Sequence, residues 1–249
     1  MQTCVQYPHV SVVIPARNEA SNLQHVLPLI PTFVDEVILV DGHSTDNTIA
    51  VAQQLLPSIR VIAQVGQGKG NALRAGFAGS TGDIIVMLDA DGSADPREIV
   101  QFVEVLLAGN DFAKGSRFLK GGGSHDLTFL RSLGNYGLSR LVNVLFNTRF
   151  TDLCYGYNAF WKRCLDYVEI DSDGFEVETL LNIRMRLAGL KIAEVPSFEH
   201  PRIYGASNLN VFRDGWRVLK TIVRERWNGK RDETAVPAIE RAAERVPLL

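Results

Sequence analysis

The sequence predicts an α/β fold built on a mostly parallel sheet covered on both faces. Three observations carry this. Short β-branched runs alternate with longer helical patterns from residue 10 to about residue 117. The strand runs are apolar toward both faces, as strands buried on both sides of a sheet are. Polar and acidic residues gather directly after the strand runs, where open α/β sheets bind their ligands.

In chain order, residues 10–14 read as a strand, 19–29 as a helix, 36–40 as a strand and 46–56 as a helix. Residues 60–63 and 83–88 continue as strands, with helices at 71–78 and 96–107. Beyond Arg117 the pattern is less regular. Residues 121–124 (Gly-Gly-Gly-Ser) read as a flexible loop, 138–146 as an apolar helical stretch and 152–161 as an aromatic-rich segment. A helix at 175–187, a returning strand at 191–195 and an amphipathic helix at 208–227 follow. After Gly229 comes a charged tail interrupted by Pro237, expected to be partly disordered. No internal repeat or linker divides the chain, so one domain is expected.

Composition narrows the function classes. With 249 residues, 46% hydrophobic and 22% charged, the chain is an ordinary globular protein. Lys and Arg number 26 against 28 Asp and Glu, so there is no global basic field to bind nucleic acid. Cys4, Cys154 and Cys164 are odd in number and lack Cys-x-x-Cys spacing, which argues against a disulfide framework or zinc site and for a reducing compartment. Residues 1–9 show no signal peptide. Apolar runs such as 84–88 fall far short of the ~20 residues a membrane span requires. Any work on a membrane is therefore expected from its surface.

Asp89-Ala90-Asp91 directly follows the apolar run 84–88. Two carboxylates two residues apart at a strand end suit a hard divalent cation that keeps positions open for phosphate oxygens; the other reading is a pair of turn residues before Gly92. Ser44, Thr45 and Asp46 suit the cap of the following helix, a role that does not account for Asp41, Asp89 and Asp91. Gly66-Gln67-Gly68-Lys69-Gly70-Asn71 fits neither the Walker nor the dinucleotide pattern. It reads either as a plain turn or as a loop that brings Lys69 to a phosphate or sugar.

Together, Val12-Val13-Ile14-Pro15-Ala16-Arg17-Asn18-Glu19, Val40-Asp41-Gly42-His43-Ser44-Thr45-Asp46, Gly68-Lys69-Gly70 and Leu88-Asp89-Ala90-Asp91 resemble the successive signatures of family 2 glycosyltransferases of the glycosyltransferase-A fold, in order and spacing over about 80 residues. The resemblance implies that Pro15, Ala16, Asn18, Glu19 and Asp41 hold the base and ribose of a nucleoside diphosphate sugar. Lys69 joins them on the donor, and Asp89, Ala90 and Asp91 form the diphosphate site, with Asp89 and Asp91 holding Mg²⁺ or Mn²⁺. It also implies a catalytic domain over residues 1–228, with a nucleotide-sugar half (10–116), an acceptor half (117–228) and a tail (229–249).

Gly115-Ser116-Arg117-Phe118, Arg131 with Asn135, and Arg202-Ile203-Tyr204-Gly205-Ala206-Ser207 resemble the acceptor side of the polyprenyl-phosphate sugar synthases, the dolichyl-phosphate mannose synthase branch. That resemblance implies that Arg117, Arg131 and Arg202 clamp a lipid phosphate. Asp152 lies where the family carries an acidic residue facing the acceptor. It would be the general base for a hydroxyl acceptor. A phosphate acceptor, ionised near neutral pH, needs no base, and Asp152 would then orient the acceptor or support an arginine.

Two departures stand out. Gly42 follows Asp41 where many relatives have a second Asp, and Gly92-Ser93 leaves the third metal ligand open between weak Ser93 and His200, which, as a lone His next to Pro201, reads first as a structural residue. In the last helix, Arg213, Arg217, Lys220, Arg224 and Arg226 outnumber Asp214 and Glu225, and Phe212, Trp216, Leu219, Val223 and Trp227 supply apolar surface. Such a helix suits an anionic bilayer surface or packs on the domain with a solvated basic face.

The expected protein is a metal-dependent inverting glycosyltransferase transferring one sugar to a polyprenyl phosphate at the cytoplasmic membrane face. The rivals are transfer to a soluble hydroxyl acceptor, a nucleotidyltransferase, which the missing triphosphate loop disfavours, and a non-catalytic binding protein.

Overall fold

The computed structural model describes residues 7–205 and 210–228. In chain order the elements are β1 (Val10–Ala16), α1 (Ala20–Val26), β2 (Glu36–Asp41), α2 (Thr48–Leu55), β3 (Arg60–Ala63), α3 (Lys69–Gly79), β4 (Ile84–Met87), α4 (Ile99–Leu107) and β5 (Phe112–Ser116). There follow β6 (Gly123–Ser124), α5 (Phe129–Phe146), β7 (Asn158–Trp161), α6 (Val177–Leu187), β8 (Ile192–Pro196), β9 (Phe198–Glu199) and α7 (Val211–Asn228). Seven strands form one sheet in the order β3-β2-β1-β4-β7-β5-β8, and β6 pairs with β9. All neighbours in the large sheet are parallel except β7, which runs against both β4 and β5.

This is the predicted α/β architecture, a mostly parallel sheet flanked by helices. Side chains alternate across β1, so Val12 and Ile14 join Leu39, Val86 and Phe102 on one face, while Val13 joins Val40, Leu73, Phe77 and Met87 on the other. A third cluster, with Val142, Phe146, Leu153, Ile183, Val218 and Ile222, ties α5, α6 and α7 together beside the sheet. Because β2 lies on one side of β1 and β4 on the other, the strand order reverses at β1, and the crevice beyond its carboxyl end is where such sheets bind ligands.

The structure departs from the predicted elements in ways that have local causes. The helix expected to reach residue 29 ends at Val26, and Leu27–Leu29 form a 3₁₀ turn because Pro28 has no N–H for the helical ladder. The helix expected from residue 46 begins at Thr48, and the one expected from 71 begins at Lys69. The apolar stretch 138–146 is the second half of an 18-residue helix whose start is capped by Thr128, its hydroxyl accepting from Arg131 N–H. Gly134 and Gly137, which meet nothing within 4 Å, obscured its periodicity. The loop expected at 121–124 contributes Gly123 and Ser124 to the pairing with Phe198 and Glu199. The aromatic-rich segment supplies the central antiparallel strand. The start of the predicted 208–227 helix and the charged tail lie outside the described residues.

Gly76 sets the approach of α3 to the sheet. A Cβ there would sit 2.3 Å from Val13 Cγ1 and 3.0 Å from Val40 Cγ2. Gly76→Ala is therefore expected to destabilise the fold by about 1–3 kcal/mol, the usual cost of overpacking, measured as a lower urea midpoint at unchanged slope.

Candidate active site

The site begins where β1 and β2 end. Asn18 adopts a left-handed conformation (φ 57°) and joins the two loops. Its N–H donates to Ser44 Oγ at 3.0 Å, and its Oδ1 accepts from Thr45 N–H at 2.8 Å. Asp46 accepts from Thr48 N–H at 2.9 Å and Ala20 N–H at 3.3 Å, so one carboxylate caps the starts of both α1 and α2. Burial pushes the Asp46 carboxyl up, but these bonds hold it below the usual carboxylate range. Pro15 and Ala16 close β1 beside Val40 and Asp41. Asp41 is buried; its Oδ2 accepts from Ser44 N–H at 3.2 Å, and its Oδ1 has no partner among the described residues. A buried acceptor left open at a strand end is suited to a ligand's donor.

Asp89 and Asp91 follow β4, and both are already paired with cations. Lys69 Nζ lies 2.6 Å from Asp89 Oδ1 and 2.8 Å from Glu178 Oε1. Burial pulls the Lys69 ammonium down, yet the two carboxylates raise it well above its ordinary value. Glu178, in the first turn of α6, is pushed up by burial against the opposing pull of Lys69. Arg202 Nη2 donates to Asp91 Oδ2 at 2.9 Å, and its Nη1 donates to Glu19 Oε1 at 3.0 Å. Burial also raises Glu19, while Asn22 and Arg202 act against it.

The Gly68-Lys69-Gly70 loop makes no phosphate cradle in this arrangement. Gly70 N–H and Asn71 N–H, at the start of α3, both donate to Asp173 O, at 2.9 and 3.3 Å. A Cβ at Gly70 would lie 2.3 Å from Ser172 O, so the loop is packed against the chain before α6. Only the Lys69 side chain reaches the acidic edge.

On the acceptor side each arginine of the predicted clamp is engaged with carboxylates. Arg117 is buried beneath carboxylates: its Nε donates to Asp152 Oδ2 at 2.7 Å, its Nη2 to Asp152 Oδ1 at 3.0 Å and its Nη1 to Glu199 Oε2 at 3.0 Å. Its guanidinium also stands over the Tyr155 ring at 4.8 Å. Arg131 pairs with Asp126 at 3.3 Å. The three arginines thus serve three different sets of carboxylates, and Arg202 faces the donor edge. Asp152 is 0% exposed, its Oδ2 accepting from Arg117 N–H and Nε and its Oδ1 from Arg117 Nη2. Burial opposes its charge, but the Arg117 guanidinium wins and keeps its carboxyl below the usual range. Its geometry is that of support for an arginine.

Asn135 is likewise structural: its Oδ1 accepts from Leu153 and Cys154 N–H, both at 3.1 Å, and fixes the loop after Asp152. His200 donates its N–H to Ser93 O at 2.7 Å and its ring stands 5.0 Å from Phe198. Among the described residues no third His, Cys, Asp or Glu completes a metal cluster with Asp89 and Asp91. Sequence reading missed Glu178, Glu199 and the buried Lys114, whose ammonium is pulled down by burial and donates to Gly115 O at 3.0 Å. Glu178 stands in a segment read only as helix, and nothing local marks the partner it meets 109 positions away.

A mostly parallel sheet with an acidic strand end beside its switch point, two flanking cations and an open buried acceptor has the ligand-binding crevice of an α/β enzyme. The model of the family described as Glycosyl transferase family 2 matches residues 11–166. The chain belongs to glycosyltransferase family 2. It is 30% identical over 223 residues to glycosyltransferase AglJ of Haloferax volcanii, covering 86% of this chain and 71% of that one. It is 31% identical over 234 residues to dolichol-phosphate mannosyltransferase of Pyrococcus furiosus, covering 90% of this chain and 65% of that protein. Among solved structures, glucosyl-3-phosphoglycerate synthase from Mycobacterium tuberculosis in complex with Mn²⁺, UDP and glucosyl-3-phosphoglycerate superposes with a TM-score of 0.66 at 25% identity, covering 87% of this chain and 79% of that one. The same synthase has also been crystallised with Mg²⁺ and UDP.

Proposed function

We propose that the protein is an inverting glycosyltransferase that moves a sugar from a nucleoside diphosphate sugar to a polyprenyl phosphate at a membrane surface, on the cytoplasmic side. The observation that carries the donor half is the pair of carboxylates, Asp89 and Asp91, at the end of β4 beside the open Oδ1 of Asp41. Two oxygen donors of this kind fit Mg²⁺ or Mn²⁺, which complete their shells with phosphate oxygens and water. Asp89 and Asp91 would hold the ion, which when bound supplies electrostatic stabilisation of the departing diphosphate. Pro15, Ala16, Asn18 and Glu19 shape the donor loop, and Asp41 accepts from the nucleoside. Lys69 and Arg202 stand within reach of the same anionic group and keep the carboxylates in place.

The acceptor half rests on the burial of Asp152 under Arg117 and on the helical surface. A phosphate oxygen attacks the anomeric carbon without losing a proton, so the burial of Asp152 is no obstacle. A hydroxyl acceptor would need another base. The last helix packs through Val218, Thr221 and Ile222, and leaves Phe212, Trp216, Val223 and Trp227 exposed, Trp227 to 72%. Asp214 and Glu225 are buried and pair with Arg213, Arg217 and Arg224 of the same helix and with Arg184, so three of the helix's five basic residues already stand in ion pairs at its surface. Apolar and basic residues together on one exposed face suit an anionic lipid surface. Phe129, Leu133 and Tyr136 of α5 add exposed apolar area. No described helix is long and apolar enough to cross a membrane. The similarity to a dolichol-phosphate mannosyltransferase supports the same acceptor.

A second reading, transfer to a soluble phosphorylated acceptor, is favoured by the solved neighbour holding glucosyl-3-phosphoglycerate. Transfer from labelled UDP and GDP sugars to polyprenyl phosphate in vesicles, run beside soluble acceptors, separates the two. Labelled lipid product is the expected result, and label found only in soluble product overturns the lipid assignment. Trp216→Ser with Trp227→Ser is expected to lower binding to anionic vesicles about tenfold or more, measured by sedimentation, since burial of an aromatic side chain contributes about 1.5–3 kcal/mol.

A further inference from the structure

The acidic edge has a second layer. Lys69 bridges Asp89 and Glu178, and Arg202 bridges Asp91 and Glu19, at 2.6 to 3.0 Å. Each cation is thus shared between one aspartate facing the crevice and one glutamate behind it, with the glutamates 4% and 8% exposed for Glu178 and Glu19. We propose that Glu178 and Glu19 are positioning residues that neutralise Lys69 and Arg202, so that Asp89 and Asp91 keep two negative charges for a divalent cation. This rests on the reading that Asp89 and Asp91 hold the metal.

The charge balance gives the reason. Each group holds one cation and two carboxylates and is left with one negative charge, and the two groups together match a divalent ion. Without its glutamate, a cation would be neutralised by the aspartate alone and would compete with the metal for that carboxylate. Like charges a few ångströms apart in a partly buried site repel strongly.

Both glutamates are held in place by built contacts. A Cβ at Gly156 would lie 2.7 Å from Lys69 Nζ, 3.1 Å from Asp89 Oδ2 and 3.2 Å from Glu178 Oε1, so the missing side chain is what lets the three close together. On the other side Asn22 donates from Nδ2 to Glu19 Oε2 and accepts from Tyr204 N–H at 2.9 Å. That contact fixes Glu19 beside the segment carrying Arg202. The two glutamates come from opposite halves of the chain, and the layer exists only once both halves are folded.

The test is Mn²⁺ binding followed by electron paramagnetic resonance of the free ion, with and without UDP, with thermal unfolding recorded for each variant. Glu178→Gln and Glu19→Gln are each expected to weaken Mn²⁺ binding roughly 10- to 100-fold, the usual effect of losing an outer partner of a metal site. Lys69→Met combined with Glu178→Gln restores the net charge and is expected to recover most of that loss. A merely structural role for Glu178 predicts no such recovery. Wild-type Mn²⁺ affinity in both single variants, or a double variant no tighter than Glu178→Gln, overturns the inference. Wild-type protein that takes up no Mn²⁺ even with UDP overturns the metal-site reading itself.

Discussion

Asp91→Asn is expected to lower sugar transfer by on the order of 10³-fold, with Asp89→Asn close behind, because each removes one of the two charges available to a divalent cation. A loss of that size corresponds to about 4 kcal/mol of transition-state stabilisation, within the several kcal/mol that a metal ion contributes to a developing anion. The substitution is nearly isosteric. The amide oxygen of the new side chain would still accept from Arg202 or from Ser93 N–H, which bonds Asp91 Oδ1 at 3.0 Å. The fold should therefore survive, and far-UV circular dichroism should match the wild type. Transfer assayed across Mn²⁺ concentrations checks the cause: the deficit is expected to shrink at high metal if affinity is what was lost. Turnover within a few-fold of wild type in both variants would remove Asp89 and Asp91 from the mechanism.

The second large effect concerns stability. Arg117→Met leaves Asp152 buried with neither oxygen paired by a cation, and breaking a buried pair in this way costs about 3–5 kcal/mol. For a domain of this size each kcal/mol lowers Tm by roughly 2–4 °C, so a fall of about 10 °C is expected by differential scanning calorimetry. Replacing both partners, Arg117→Met with Asp152→Leu, should be less damaging than the single change, since no charge is left stranded. The pH dependence follows from the same pair. Asp152 titrates lower in the folded chain than in the unfolded one, so its contribution is complete above the ordinary carboxylate range and is lost as the pH falls through the lowered value. Wild type is therefore expected to lose stability on acidification more steeply than the double variant. Were Asp152 a catalytic base, Asp152→Asn would abolish turnover at unchanged Tm; the geometry predicts instead a lower Tm.

How much of this was legible in the residues differs between the halves. The strands from β1 to β4 are continuous apolar runs, and their ends carry Asp41, Asp89 and Asp91, because a parallel strand buried on both faces must be apolar and its ligands must come after it. Local rules suffice there. They failed at β7, whose Asn158 and Trp161 do not read as an interior strand, and at α5, where Gly134 and Gly137 interrupt the pattern. Nor were the partners of two arginines legible locally: Arg131 meets Asp126 five residues away, but Asp152 lies 35 residues from Arg117, and Glu19 lies 183 from Arg202.

The amino-acid sequence by itself determined the α/β architecture, the family and the acidic end of β4, since hydrophobic periodicity and short motifs are properties of neighbouring residues. Tertiary structure alone decided which charges meet. Only the packed sheet brings Glu178 of α6 to Lys69 of α3, carries Arg202 back to the loop after β1, and buries Asp152 under Arg117. A charge in a low-dielectric interior takes its role from the partner beside it, and that partner is chosen by the fold.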